Sequence, residues 1–208
     1  MSIALSGSPQ TGRRVGWLIT LLTIPWLYVP INRLAHGGIV FKTPLDNLIP
    51  LWPVWALPYQ LSMIAWVVCL VWAATKMDYA LLQALGIGAL TVMLTSYVIY
   101  LLFPTYVERP ILTGSGWDID LMRAIYNNDR PYNAFPSLHT YLTVLIALFW
   151  QRWHPGLWWL WSGFVVIVLL STLFTRQHYL PDLVGGAALA WLGYRFGLWW
   201  VGREPAGV

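Results

Sequence analysis

The sequence predicts an all-α integral membrane protein, a single domain over residues 1–208 that forms a bundle of six transmembrane helices. Of its 208 residues, 58% are hydrophobic and 10% are charged, whereas about 25% of an average soluble domain is charged. Several uncharged stretches reach the roughly 20 residues that cross a bilayer, and their apolar runs are continuous, which favours helices over a transmembrane β-barrel. The composition excludes a soluble nucleic-acid-binding protein, and the single cysteine excludes an internal disulfide and a multi-cysteine zinc site.

Charged residues delimit the six predicted spans. The spans lie at residues 15–33, 54–75, 79–103, 137–152, 156–174 and 181–201. The first follows Arg13 and Arg14, which we interpret as an anchor on the cytoplasmic side. The last contains Arg195, which is close enough to the end for its side chain to reach the interface. Tryptophans cluster at the ends of several spans, as they do in the aromatic belts of membrane proteins.

A long hydrophilic connection separates the third and fourth spans. Within it, residues 118–126 carry apolar side chains at positions 119, 121, 122, 125 and 126. This is the spacing of an amphipathic helix. We expect a short helix that lies at the membrane interface, over the bundle.

Six spans place both termini on one side of the membrane. The cations on that side are Arg13, Arg14, Lys76, Arg152 and Arg203, and those on the other are Arg33, Lys42, Arg109, Arg123, Arg130 and Arg176. Four of the six cations on the second side lie beside the polar clusters described next, where positive charge has a function in binding or catalysis. Without them the count is five against two (6 − 4 = 2), which favours cytoplasmic termini. The polar clusters then lie on the extracytoplasmic face, and we expect the membrane to be the cell membrane.

Two polar clusters occur where apolar spans begin or end, and polar residues at such positions are costly. One is Asn133–His139, at the start of the fourth span, and the other is Thr175–Asp182, between the fifth and sixth. Six-span topology brings both to the same face, together with the loop that carries Arg109 and Arg130. Two histidines, an aspartate and several arginines therefore meet at one surface.

The spacing of His178 and Asp182 is informative, because residues i and i+4 are neighbours on a helix. A carboxylate beside an imidazole fixes its tautomer and stabilises positive charge that develops on the ring. A histidine that attacks phosphorus needs such a partner, His139 is placed to protonate the leaving oxygen, and arginines bind phosphate oxygens. Two alternatives stay open at this point: a structural His–Asp pair, and a metal site formed by the two histidines and the aspartate.

These residues resemble the phosphatidic acid phosphatase type 2 superfamily, whose pattern is Lys-x6-Arg-Pro, then Pro-Ser-Gly-His, then Ser-Arg-x5-His-x3-Asp. Arg109–Pro110 is similar to the end of the first part, Pro136–His139 to the second, and Ser171–Asp182 to the third. A rival match for the first part is Arg123 followed by Arg130–Pro131. The resemblance covers roughly residues 100–190.

The departures from the pattern point to a branch of the superfamily. Leu102 stands at the lysine position, Leu138 at the glycine position, and Thr172 at the arginine position of the third part. Three stretches look like the inositol phosphorylceramide synthase-like branch: the run from Asn133 to His139, the Gln-His-Tyr-x-x-Asp sequence, and Asp46-Asn-Leu-Ile-Pro upstream.

The resemblance implies roles for individual residues. His178 would be the nucleophile that forms a phospho-histidine, Asp182 would orient it, and His139 would be the acid for the leaving group. Backbone amides near Ser137 and the side chain of Arg109 would bind the phosphate. Arg130 and Arg176 fall outside the pattern, and we predict them as substrate-binding residues from charge and position alone.

We therefore expect a metal-independent lipid phosphatase or phosphotransferase without a cofactor. Its predicted partners are a phospholipid or other lipid phosphate and the membrane, with no nucleic acid; the sequence does not predict an oligomeric state. A phosphate monoester carries about −1.5 to −2 charges near neutral pH, and two of the pattern's cations are missing here, so we favour head-group transfer from a phosphodiester. The alternatives are a simple monoester phosphatase and a non-enzymic protein that binds or transports lipid head groups.

Overall fold

A computed structural model describes residues 9–203, which contain eight α-helices and no strand beyond two isolated β-bridges. The helices are α1 Pro9–Thr23, α2 Tyr28–Leu34, α3 Ala56–Lys76, α4 Tyr79–Leu102, α5 Trp117–Asn128, α6 Leu138–Trp153, α7 Trp158–Phe174 and α8 Leu180–Val201. The all-α prediction is confirmed for these residues. The predicted single domain, 1–208, includes residues 1–8 and 204–208, which lie outside the described residues, and it stays a prediction.

Four helical stretches are long and apolar enough to cross a membrane: Gln10–Leu34, Pro53–Lys76, Tyr79–Leu102 and Pro155–Phe174. They confirm membrane-spanning character, but not the count of six. The α6 helix has 16 residues, or about 24 Å, which is shorter than a hydrocarbon core of about 30 Å. In α8, glycines, tryptophans and Arg195 lower the mean hydropathy. The α6 helix packs against α3, α4, α7 and α8, so it lies at the centre of the bundle.

The first predicted span, 15–33, is interrupted rather than continuous. The α1 helix ends at Thr23, a 3₁₀ turn covers Ile24–Leu27, and α2 follows. Pro25 stands near the start of that turn, and a proline has no backbone N–H to continue an α-helix. The stretch Gln10–Leu34 nevertheless counts as one helical span, and its side chains are only sparsely buried.

Small residues allow α4 and α8 to approach closely. A Cβ atom added to Gly88 would lie 2.7 Å from the carbonyl oxygen of Gly193, and one added to Gly197 would overlap the carbonyl of Ala84. Glycine at such positions is typical of helix contacts in membranes, where close backbone approach supplies packing energy. This contact positions α8, whose first turn carries Asp182.

The connection between α4 and α6 contains the expected amphipathic helix, which runs from Trp117 to Asn128. Its residues Met122 and Ile125 are buried against Ala56 and Tyr59 of α3. The helix therefore covers one end of the bundle. Its location at a membrane interface stays a prediction.

Candidate active site

The end of α7 sets the direction in which the site residues leave the helix. Arg176 has a left-handed backbone conformation with φ of 53°. Its N–H donates to the carbonyl of Leu173 at 3.0 Å, and the N–H of Gln177 donates to that of Thr172 at 2.9 Å. These two bonds form a Schellman motif. The chain turns at this point and delivers Gln177 and His178 to a cavity.

Asp182 is both a helix cap and the partner of His178. Its Oδ2 accepts a hydrogen bond from the N–H of Tyr179 at 2.8 Å, and Pro181 occupies the first turn of α8. The same oxygen lies 3.5 Å from Nδ1 of His178, within ion-pair range but longer than a usual hydrogen bond. Because Nδ1 faces the carboxylate, Nε2 is the ring nitrogen that remains for chemistry.

His139 faces His178 from the first turn of α6. The centroids of the two rings are 6.0 Å apart. The His139 ring stacks on Tyr59 at 4.3 Å and contacts Trp66 at 5.2 Å, so its plane is fixed by aromatic packing. The Nε2 atom of His139 has no hydrogen-bond partner within the described part of the chain. This buried nitrogen therefore has an unused hydrogen-bonding capacity, in a ring that lines the cavity.

Ser137 caps α6 and is fully buried. Its Oγ accepts from the N–H of Thr140 at 3.3 Å, and its own N–H donates to the carbonyl of Asp182 at 3.0 Å. These groups are therefore used within the protein. The first two helical residues, Leu138 and His139, have N–H groups without an acceptor inside the helix, and both line the cavity.

Arg109 lies beside the histidines and is held by several contacts. Its guanidinium donates to Oε1 of Gln177 and to the carbonyl of Asp129, both at 2.5 Å. It also lies over the ring of Tyr126 at 4.5 Å. Burial raises the pKa of Tyr126 to about 12, although Arg109 acts to lower it. The Nε atom of Arg109 has no partner among the described residues.

Asp129 is a second acid group in the cavity. Its Oδ1 accepts a hydrogen bond from the hydroxyl of Tyr28 at 2.9 Å, and its Oδ2 lies 4.0 Å from a guanidinium nitrogen of Arg109. Burial raises the pKa of this carboxyl, while Arg109 and the Tyr28 hydrogen bond act to lower it. Sequence reasoning gave Asp129 no role.

Arg130 lines the same cavity from the rim. Its guanidinium donates to the carbonyl of Arg33 at 2.5 Å and lies over the ring of Tyr132 at 4.8 Å. The structure therefore brings Arg130 near Arg109, although its side chain is partly used in these contacts.

Arg176 is directed away from the cavity. Its guanidinium donates to the carbonyl of Asp46 at 2.8 Å and to that of Ile49. The buried carboxylate of Asp46 accepts from the N–H of Leu180 at 2.8 Å and from the N–H and hydroxyl of Thr43 at 2.7 and 2.6 Å. The segment that begins at Asp46 therefore stabilises the junction of α7 and α8, and the structure does not bring Arg176 to the other predicted phosphate ligands.

The cavity has a volume of about 440 Å³ and two chemically different ends. Its polar end contains Arg109, Asp129, Asn133, His139, Gln177 and His178. Its apolar end is formed by α1, α2, α3 and α6 through residues such as Leu22, Val29, Met63, Val67, Leu142 and Ile146. A ligand with one anionic and one apolar part fits this division.

The two residues that replace the pattern's missing cations lie elsewhere. Leu102 is 67% exposed on the outside of α4, and Thr172 is buried with its hydroxyl donating to the carbonyl of Leu169. Neither lines the cavity. Neither of these two positions therefore contributes a positive charge to the cavity.

Three further polar residues line the cavity, and the sequence analysis gave none of them a role. Gln177 lies next to His178, and this adjacency was the available signal. Asn133 has a left-handed backbone with φ of 59°, and its buried amide has no partner among the described residues. Tyr28 reaches Asp129 across 101 positions, and no local pattern signals such a contact.

Within residues 9–203, no group of three or more His, Cys, Asp or Glu side chains is placed to hold a metal ion. His139, His178 and Asp182 do not form such a group. The metal-site alternative therefore has no geometric support in this part of the chain.

Comparison with known proteins agrees with the motifs. The catalytic subunit of inositol phosphorylceramide synthase from Schizosaccharomyces pombe is 36% identical over 70 residues, 34% of this chain and 17% of that protein. Its counterpart from Saccharomyces cerevisiae is 32% identical over 73 residues, 35% of this chain and 18% of that protein. An uncharacterised protein of Methanocaldococcus jannaschii is 27% identical over 90 residues, 43% of this chain and 37% of its own length.

The chain thus spans less than a fifth of the length of the yeast synthases. No solved structure matches it. The sequence profile of the PAP2 superfamily matches residues 45–196, which include both histidines, Asp182 and Arg109. The chain therefore belongs to the PAP2 superfamily, and its curated relatives include inositol phosphorylceramide synthases, a branch related to it.

Proposed function

We propose that the protein is a membrane-embedded, metal-independent phosphotransferase that acts on a lipid phosphate through a phospho-histidine. The observation that carries this proposal is the arrangement of His178, paired with Asp182, and His139 at a ring-centroid distance of 6.0 Å. Both rings line the same cavity, so one phosphate bound there can contact a nucleophilic imidazole and a proton-donating imidazole.

The reaction has two steps. In the first, Nε2 of His178 attacks phosphorus, the bond from phosphorus to the leaving oxygen breaks, and His139 gives that oxygen a proton. Asp182 stabilises the positive charge that forms on the His178 ring. In the second, a hydroxyl of water or of an acceptor lipid loses its proton to His139 and attacks phosphorus, and the phosphorus–nitrogen bond breaks.

The phosphate is bound at the first turn of α6 and by arginine. The free N–H groups of Leu138 and His139 and the positive end of the helix dipole favour an anion there. Arg109 and Arg130 supply positive charge beside it. Arg176 acts through the α7–α8 junction instead, because its guanidinium contacts the Asp46 segment.

The rest of the substrate is a lipid tail. The cavity continues from the histidines between α1, α3 and α6 along apolar side chains such as Val29, Val67 and Ile146. From His139 to Ile146 the α6 helix rises about 10 Å. The first part of an acyl or alkyl chain fits along this distance.

Head-group transfer from a phosphodiester is favoured over monoester hydrolysis. Leu102 and Thr172 leave two cationic positions of the monoesterase pattern unfilled, and a monoester carries the larger negative charge. The yeast relatives are synthases by name, which agrees with transfer. The substrate here is proposed from the site, since the match covers a small part of those proteins.

The deciding experiment is mass spectrometry of products after incubation of the purified protein with lipid monoesters and diesters, with and without an alcohol acceptor. Turnover and a phosphorylated His178 peptide are expected. His178→Ala and His139→Ala should abolish turnover, whereas His154→Ala, at the exposed end of α6, should leave it unchanged. Head-group binding without any turnover would instead support the non-enzymic alternative.

The proposed topology has six spans in a single domain, with cytoplasmic termini and the histidines on the extracytoplasmic face of the cell membrane. Ser115 and Gly156 are exposed in connections that this topology places on opposite sides. Cysteines at these positions, in a Cys69→Ala background, should differ in labelling of whole cells by an impermeant maleimide. Labelling at position 156 and protection at 115 would reverse the orientation.

A further inference from the structure

The proposed reaction gives no task to Asp129, although this carboxylate lines the cavity that receives the phosphate. An acid group beside an anionic substrate repels it. The hydroxyl of Tyr28 donates to one carboxylate oxygen at 2.9 Å, and the guanidinium of Arg109 lies 4.0 Å from the other. Burial raises the pKa of the Asp129 carboxyl, and the contacts with Arg109 and Tyr28 oppose that shift by stabilising the carboxylate.

Asp129 also decides how much of the charge of Arg109 is available to a ligand. The guanidinium is already bonded to the Asp129 carbonyl and to Gln177. The positive charge of Arg109 and the negative charge of Asp129 largely cancel at the position of a ligand several ångströms away. Arg130 at the rim is then the remaining cation of the polar end among the described residues.

We propose that Asp129 is a charge-selectivity residue, which makes the cavity accept a lipid phosphate with one negative charge and discriminate against one with two. The ligand class is a monoanionic phosphodiester of an apolar alcohol, and the class discriminated against is the dianionic monoester. This inference rests on the proposed function and assigns its substrate preference to a single side chain.

The size of the effect follows from Coulomb's law. Gln177 contacts Arg109 and is adjacent to His178, and Asp129 and His178 line the same cavity. For the charge effect we take a separation of about 7 to 10 Å between the bound phosphate and the Asp129 carboxylate. At an effective dielectric constant of about 20, one additional negative charge at that distance lowers affinity by about 10- to 100-fold. Replacement by the isosteric Asn removes this repulsion and frees the charge of Arg109.

The test uses two ligands that differ by one methyl group and one negative charge: dodecyl phosphate and its methyl ester, dodecyl methyl phosphate. At pH 8 the first is a dianion, because its second pKa is near 6, and the second is a monoanion. Values of kcat/KM are measured for both in the wild type and in Asp129→Asn. The matched control is Asp120→Asn, the same substitution at an exposed carboxylate that pairs with Arg123.

We expect Asp129→Asn to lower the diester-to-monoester ratio by 10- to 100-fold, and Asp120→Asn to change it by less than twofold. Comparison of ratios between variants cancels the different intrinsic reactivities of the two ligands. An equal loss for both ligands would mean that Asp129 only supports the fold or holds Arg109, and would overturn the proposal. So would an unchanged ratio with full activity.

Binding separates this inference from the proposed function. Dissociation constants of both ligands are measured by calorimetry in a His178→Ala background, with and without Asp129→Asn. If the wild type turns over neither ligand, the proposed reaction fails, but a 10- to 100-fold shift in the ratio of dissociation constants still supports charge selection by Asp129. The absence of any shift in binding refutes it.

Discussion

Replacement of Asp46 by Asn tests whether the α7–α8 junction depends on this buried carboxylate. Asp46 is 0% exposed. Its Oδ1 accepts from the N–H of Leu180, and its Oδ2 accepts from the N–H and the hydroxyl of Thr43. All three donors are directed at the two carboxylate oxygens of Asp46, whereas the side chain of Asn has only one oxygen. Its amide nitrogen must therefore face a donor.

The less costly orientation of the Asn keeps its oxygen at Thr43 and places its NH₂ against the N–H of Leu180. One hydrogen bond to a charged group is lost, which is worth about 1.5–3 kcal/mol, and a buried N–H remains unsatisfied, which costs about 1–3 kcal/mol. Because these terms overlap, we expect a loss of roughly 2–4 kcal/mol in the free energy of unfolding. In a chain of this size this lowers Tm by about 4–16 °C.

The assay is thermal unfolding in detergent, followed by the fluorescence of the 15 tryptophans. The control is Asp120→Asn, since an exposed ion pair such as Asp120–Arg123 contributes at most about 1 kcal/mol. Turnover is measured well below Tm, where Asp46→Asn should still be slower because the first turn of α8 carries Asp182. An Asp46→Asn protein with the Tm of the control would refute the proposed role of the carboxylate.

Three further predictions concern packing, phosphate binding and metals. Gly197→Ala should destabilise the protein by about 1–3 kcal/mol in denaturant titration, because its Cβ overlaps the carbonyl of Ala84; Gly163→Ala, with open space around it, should be neutral or stabilising by up to about 1 kcal/mol. Arg109→Lys should lower kcat/KM by about 10-fold or more, because an ammonium group does not reach Gln177 and the Asp129 carbonyl at once; wild-type kcat/KM would show that charge alone matters. Activity should be unchanged in excess chelator, and a loss that added metal ions restore would contradict metal-independent catalysis.

The helices were largely predictable from the sequence because charged residues delimit apolar segments. The predicted spans 79–103 and 181–201 differ by one residue at most from the observed Tyr79–Leu102 and Leu180–Val201. The first predicted span, 15–33, lies within the observed stretch Gln10–Leu34, but its internal 3₁₀ turn was not predicted. Its prolines lie inside an uncharged stretch, so a criterion based on charge passed over the break that Pro25 introduces.

Within the site, the spacing of residues along the chain predicted which side chains lie close together better than their charge did. The i, i+4 relation placed His178 next to Asp182, and their side chains lie 3.5 Å apart; their catalytic roles stay predictions. Arg176 belongs to the same cluster, yet its guanidinium donates to carbonyls 127 and 130 positions away. Its orientation depends on a left-handed backbone and on a distant loop, neither of which is visible in a local pattern.

The capping of the two helices that meet at the site bears on the proposed position of the phosphate. At the start of α8, Asp182 accepts from the N–H of Tyr179 and Asp46 accepts from that of Leu180. Two carboxylates therefore occupy the positive end of the α8 dipole, and their charges oppose an anion there. The first turn of α6 has an uncharged cap, Ser137, and the N–H groups of its first residues have no acceptor within the helix. These caps support the proposal that the phosphate binds at α6, beside His139, and that His178 attacks phosphorus from the side of α8, where Asp182 stabilises the cationic ring.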